Sequence, residues 1–243
     1  MRIDIWSDVV CPWCYIGKRR LEQALSEARP TDGAEIIWHS FQLDPSARSD
    51  DPRDLADRLG AKFGGGRELG LQANARVTTI AAEVGLEFNL DVAKSANTVD
   101  AHRVLHLARE LVESGELPPD GQDRLKERYL RAYFTDGEPV GDHATLTRLA
   151  VEVGLPAERV AEVLAGTVYA AEVEADQAQA LAYGANGVPF FVIDEKYGVS
   201  GAQPVEVFAE ALRRAQSDRK PVTLVTGPGT ADADVCGPDG CPI

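Results

Sequence analysis

Strand-like sequence in this chain is confined to its two ends, and a long helical stretch lies between them. The opening "MRIDIWSDVV" alternates Ile3 and Ile5 with polar partners and predicts a strand from about Arg2 to Trp6. "CPWCYIGKRRLEQALSEA" follows, with Ile16, Leu21, Ala24, Leu25 and Ala28 close to helical spacing until Arg29-Pro30 and "TDG" stop it. "AEIIWHSFQL" is apolar, β-branched and aromatic, a second strand from about Ala34 to Phe41. From Asp44 helical periods take over: "PRDLADRL", "ARVTTIAAEVG", "TVDAHRVLHLARELVESG", "GQDRLKERYLRAYF", "DHATLTRLAVEVG", "PAERVAEVL" and "VYAAEVEADQAQALAYG". Asn97-Thr98 and Asp142 are expected N-caps, and Gly115, Gly154 and Gly184 expected stops. Strand character returns at Val188–Ile193, with a short partner from Val199, and "PVEVFAEALRRAQ" closes as a helix. The order β-α-β, helices, β-β-α predicts an α/β domain split by a helical insertion. Its parts are 1–44, the insertion 45–184, 185–216, and an irregular extension 217–243 that includes one strand-like piece, "VTLV".

Composition narrows the function. The 243 residues carry 39 acidic against 25 basic side chains, a net charge of −14. Nucleic acid and anionic membranes need the opposite sign, so neither is expected as a partner. No segment approaches the roughly 20 apolar residues of a membrane span. The N-terminus lacks a signal-type apolar core, which predicts a chain that starts at Met1 and stays in the cytoplasm. There, disulfides are usually transient and catalytic, so four cysteines are read as reactive groups rather than a scaffold.

Cys11-Pro12-Trp13-Cys14 falls between the first strand and the first helix. Cys11 at the N-cap can meet unpaired amides and the positive end of the helix dipole, which favour a thiolate. Pro12 suits the first helical position, where its missing N–H costs nothing. Three residues apart, the cysteines share a helix face, with Cys14 expected to be the more buried, resolving thiol. A Cys₄ zinc site built with the second pair is the competing reading. A strand-to-helix junction containing Pro-Trp argues against it, and no metal or other cofactor is expected.

These motifs carry a resemblance. "VVCPWCYIG", "SANTVDAHRVLHLA", "GVPFFVI" and "SGAQP", in that order, resemble the DsbA-type branch of the thioredoxin superfamily and its cytoplasmic FrnE-like oxidoreductases, from Met1 to about Gln216. The resemblance implies a thioredoxin fold with a helical insertion and a thiol–disulfide oxidoreductase or disulfide isomerase. Cys11 would be its nucleophile and Pro189 a cis-proline facing the cysteines. A cis bond would turn the Val188 backbone outward to pair with an extended substrate; the alternative is a trans proline starting a strand. Pro12 and Trp13 are expected at the same groove, and the resemblance brings Asn97 and His102 to it as well. Strongly oxidising members of the family place a His between the cysteines. With Trp13 there instead, Cys11 is expected to have a pKa below that of a free thiol but less depressed than theirs. Expected partners are proteins bearing disulfides or thiols, with glutathione or a thioredoxin-type reductant as electron donor. The rival reading is a glutathione-dependent isomerase or transferase of the kappa or 2-hydroxychromene-2-carboxylate type, which generally carries Ser in place of the CxxC pair.

Other features stay open at this level. Asp8 either modulates the thiolate or holds the turn through a backbone bond. His102 and His106 have metal-compatible i, i+4 spacing but no third ligand, and are read as a partly buried helical pair. "KFGGGRELG" lacks a preceding strand and a Walker lysine, so it is read as a flexible loop near the cleft. The helices "AAEVEADQ" and "RLKERYLRAYF" are read as solvated faces and packing stripes. In the extension, Gly237-Pro238-Asp239-Gly240 has type I turn order and brings Cys236 and Cys241 to about 5 Å, which suits a disulfide. The roughly 20 residues from Ser217 can stretch about 60 Å, enough to reach CPWC. Some FrnE-like proteins carry such a CxxxxC pair, which implies a second redox centre; the alternative is a static clip.

Overall fold

The computed structural model describes residues 1–30 and 33–218. Cys236, Cys241 and "VTLV" lie outside the described residues. The chain runs β1 (Arg2–Ser7), α1 (Pro12–Ala28), β2 (Glu35–Ser40), α2 (Leu55–Phe63), α3 (Gly66–Glu83), α4 (Val99–Glu113), α5 (Gly121–Phe134), α6 (His143–Val153), α7 (Ala157–Ala165), α8 (Ala170–Ala182), β3 (Phe190–Ile193), β4 (Tyr197–Ser200) and α9 (Val205–Asp218). The sheet order is β2-β1-β3-β4. β1 pairs in parallel with β2 in the register Arg2↔Glu35, and antiparallel with β3, Ile3 opposite Ile193. β3 and β4 form the closing hairpin, Phe190 opposite Ser200. This is the thioredoxin arrangement, interrupted between β2 and β3 by α2–α8. No helix among the described residues is long and apolar enough to cross a membrane.

The period-2 pattern of β1 assigns its two faces. Ile3 and Ile5 pack with Leu21 and Ala24 of α1 and with Phe208 and Leu212 of α9. Trp6 points the other way, joining Phe190 and Val192 against Ala180 of α8. The helical block has its own core around Val104, Leu107, Leu125, Tyr129 and Leu146, and α1 inserts Tyr15 and Ile16 into it. α1 is therefore shared between the sheet and the block. Ion pairs fix its contact with α5: Lys18 lies 3.1 Å from both Asp123 and Glu127, and Arg19 also pairs with Glu127.

α5 and α8 also reach the strand β2. The side chain of Gln122 accepts from Trp38 N–H and donates to Trp38 C=O, each at 2.9 Å. Asp176 of α8 accepts from Ser40 N–H at 2.7 Å.

"KFGGGRELG" departs from the sequence expectation. It is a tight hairpin between α2 and α3, and Gly66 to Gly70 belong to α3. A Cβ at Gly60 would sit 2.1 Å from the Gly66 carbonyl oxygen, and one at Gly70 2.0 Å from that of Ala56. These glycines bring two helix backbones into contact; they do not loosen a loop. Of the expected caps, Asp142 accepts from Thr145 N–H at 2.8 Å, and Gly154 ends α6 at φ 110°.

Candidate active site

Cys11 is the N-cap of α1 and Pro12 its first residue. Fixed in φ, Pro12 starts the helix without leaving a donor unpaired. The Cys14 N–H bonds back to the Cys11 carbonyl at 3.0 Å and closes the first turn. The Cys11 side chain makes no N-cap hydrogen bond, but the Cys14 amide still acts on its sulfur and lowers its pKa. It lies 3.6 Å from the carbonyl oxygen of Val188, and the Val188–Pro189 bond is cis. Gly17 permits this approach: a Cβ there would stand 3.0 Å from Pro189 Cγ and 3.2 Å from Phe191 Cζ. Both cysteines are free thiols, and the expected contrast in burial is slight, 3% exposed for Cys11 and 1% for Cys14. Trp13 between them is 38% exposed and forms the outer surface of the turn.

Residues 2–213 match the family described as the DSBA-like thioredoxin domain. The chain belongs to that family. It is similar to the crystal structure of a probable DsbA oxidoreductase, SCO1869 from Streptomyces coelicolor. The two are 43% identical with a TM-score of 0.82, over 100% of this chain and 99% of that one. At lower identity it shares its fold with the cytosolic disulfide reductase DsbM from Pseudomonas aeruginosa (18%, TM-score 0.58, 89% and 96% of the two chains). It shares it also with 2-hydroxychromene-2-carboxylate isomerase (12%, TM-score 0.62, 88% and 95%). A DSBA-like fold thus accompanies both a disulfide reductase and an isomerase, and the chemistry has to be argued from side chains.

Beneath the CPWC turn lies a buried polar cluster. Asp8 accepts from the backbone N–H of Val9 and of Leu43, each at 2.8 Å, and faces His102 Nε2 at 3.3 Å. It therefore holds the turn, and its charge also acts on the thiols. Burial opposes ionisation of Asp8, but His102, the Leu43 amide and the Lys126 charge outweigh it and keep its pKa below the usual carboxylate value. His102, 1% exposed, has its own pKa lowered by burial. It supports Asp8 from below and does not line a groove, which corrects the expectation that it contacts substrate. Its i+4 neighbour His106 turns to a different carboxylate, Asp176, at 3.1 Å. Asn97 is also committed internally: it donates to the Pro45 and Ala47 carbonyls and accepts from Gln42 and Val99, which pins the loop after β2.

Lys126 was not legible as a site residue. It sits in the charged run "RLKERYLRAYF" yet is 0% exposed, so that run is not simply a solvated face. Its ammonium donates to the Ser7 carbonyl at 3.2 Å and lies 5.3 Å over the Trp38 ring. Burial lowers its pKa to about 8 against the pull of the thiols and Asp8. The available signal was spacing: Gln122, Lys126, Tyr129 and Tyr133 form one 4-3-4 stripe, and all four are buried.

The thiols titrate as a pair. The first proton leaves below the ordinary thiol value and the second well above it. Burial resists ionisation of Cys14, but the hydrogen bond from Cys11, the Lys126 charge and Ser7 overcome it. Cys11 is held up first by its hydrogen bond to Cys14, then by burial and the Cys14 charge. The pair as a whole is acidic and shares its one retained proton, so the lowered value expected of Cys11 belongs to the two thiols together.

Proposed function

We propose that this chain is a cytoplasmic thiol–disulfide oxidoreductase acting on protein disulfides, with reductase or isomerase turnover. The observation that carries the reading is the meeting of Cys11 Sγ with the Val188 carbonyl beside cis-Pro189, at the end of a helix whose next turn holds the second thiol. The dithiol pair holds one proton between its sulfurs, and that proton rests on Cys14 when Cys11 attacks. The Cys11 thiolate then attacks one substrate sulfur; a mixed disulfide forms and the first substrate thiolate leaves and takes a proton. Cys14, deprotonated again, attacks the Cys11 sulfur, and the second substrate thiolate leaves and is protonated. Two electrons pass to substrate and Cys11–Cys14 becomes a disulfide, reduced in turn by glutathione or a thioredoxin-type dithiol. Val188 backbone groups, Pro12 and Trp13 receive the substrate segment as an added strand. The glutathione-dependent isomerase reading needs only one nucleophilic position, whereas this site supplies two coupled thiols.

The test is a Cys14→Ser variant expressed in its own host. Without the resolving thiol it is expected to accumulate mixed disulfides through Cys11 with cytoplasmic proteins, seen as reductant-sensitive adducts. Absence of adducts with an accessible Cys11 would sink the reading. We further propose that Cys236 and Cys241 form a second redox pair that exchanges electrons with Cys11–Cys14. Truncation after Asp234 is then expected to slow regeneration of the dithiol; an unchanged rate leaves the pair as a clip.

A further inference from the structure

A fully buried lysine needs a reason, because desolvating an ammonium costs several kcal/mol unless a charge compensates it. The one side-chain hydrogen bond described for the Lys126 ammonium goes to a backbone carbonyl, that of Ser7. The Ser7 hydroxyl, 3.4 Å from the Asp8 carbonyl oxygen, also lowers the Cys14 pKa, so cation and thiol both act through this one residue. The groups acting on Lys126 come from four places: Cys11 and Cys14 on α1, Asp8 in the turn before it, His102 on α4 and Asp123 on its own helix. Asp8 is already committed to two amides and His102. Asp123 is engaged by Lys18 and by Trp38 Nε1. Burial keeps the His102 pKa below its ordinary value, so Asp8 and the thiol pair share the Lys126 charge.

Resting on the dithiol reading above, we propose that Lys126 is the positioning residue of the redox centre. It is a cation delivered by the helical insertion that partners the thiolate of the reduced state and loses this partner when the disulfide forms. The Lys126 charge then acts beside the start of α1, where the Cys14 N–H also lowers the pKa of the Cys11 thiol. The insertion, beyond any part in shaping a groove, becomes part of the redox chemistry. Substrate reduction and the charge state of a residue on α5 are linked in both directions.

Two measurements test this without a substrate. Reduced wild type and Lys126→Met, which fills the volume without charge, are titrated by thiolate absorbance and by alkylation rate with iodoacetamide. The first thiolate is expected to titrate at least one pH unit higher in Lys126→Met, with alkylation at neutral pH about tenfold slower. Coincident titration curves would make Lys126 a packing residue only. In the wild-type chain, the Lys126 side-chain carbon resonance is followed against pH in both redox states. A midpoint near 8 in the dithiol form and a lower one in the disulfide form are expected. Equal midpoints would overturn the proposal even if the variant fails to fold. Neither readout depends on which disulfides the enzyme attacks, so loss of this inference would leave the Cys14→Ser result standing.

Discussion

A Cys11→Ser variant is expected to reduce insulin disulfides at least about a thousandfold more slowly than wild type. Thiol–disulfide exchange needs a thiolate, and a serine hydroxyl supplies no comparable nucleophile near neutral pH. Cys14 cannot take over: it lies within the first turn of α1, whereas Cys11 abuts the Val188 carbonyl beside cis-Pro189. The two single variants should therefore differ in kind. Cys14→Ser keeps the first covalent step, while Cys11→Ser loses it. In wild type, the rate should rise as pH climbs through the first ionisation of the pair, which lies below the ordinary thiol value. A Cys11→Ser enzyme retaining a tenth of the wild-type rate would refute the assignment of the nucleophile.

The largest stability effect is expected at Asp176, which the sequence placed on a solvated helix. Its carboxylate accepts from Ser40 N–H and contacts both His39 and His106. His39 in turn has Nδ1 2.8 Å from Asp176 and Nε2 2.7 Å from Asp4, and stacks on Trp6 at 4.5 Å. With a carboxylate at each nitrogen, the ring is an imidazolium donating twice. Burial works against that charge, but the bonds to Asp176 and Asp4 outweigh it and raise the His39 pKa. Removing Asp176 leaves a buried cation with half its compensation, so Asp176→Ala should cost about 3–5 kcal/mol, or roughly 10–15 °C in Tm. The pH dependence has two limbs. His39, raised in the fold, contributes fully below its unfolded value of about 6.5 and loses that contribution as pH rises through the folded pKa. Asp4 and Asp176, lowered in the fold, contribute above about 4 and lose that as pH falls through their folded values. The network therefore stabilises most between about pH 4 and 6.5. Calorimetry of wild type and Asp176→Ala across that range should show the largest gap there; a pH-independent gap would mean that His39 is not charged.

The two ends of the fold were readable because their patterns are local. Alternation gave β1, Pro12 marked the first residue of α1, and the family resemblance carried by "GVPFFVI" implied the cis bond. What escaped depends on where the helices land. Lys126 and Asp176 are ordinary charges in charged helices until α5 and α8 dock on the sheet. A glycine run that reads as a loop becomes a helix contact only once α2 and α3 approach. The CPWC electrostatics were only partly legible for the same reason: the start of α1 is visible in sequence, whereas a lysine from over a hundred residues away is not.

The bonds from Gln122 and Asp176 to β2 have a consequence for solubility. β2 is an outer strand of the sheet, and its neighbour β1 lies on one side only. An unpaired row of amides and carbonyls on such a strand is a template for another chain. Here a side-chain amide satisfies both backbone groups of Trp38, and a carboxylate satisfies the next outward N–H, at Ser40. Two helical side chains occupy the place of a fifth strand, so the helical block also shields this edge from self-association.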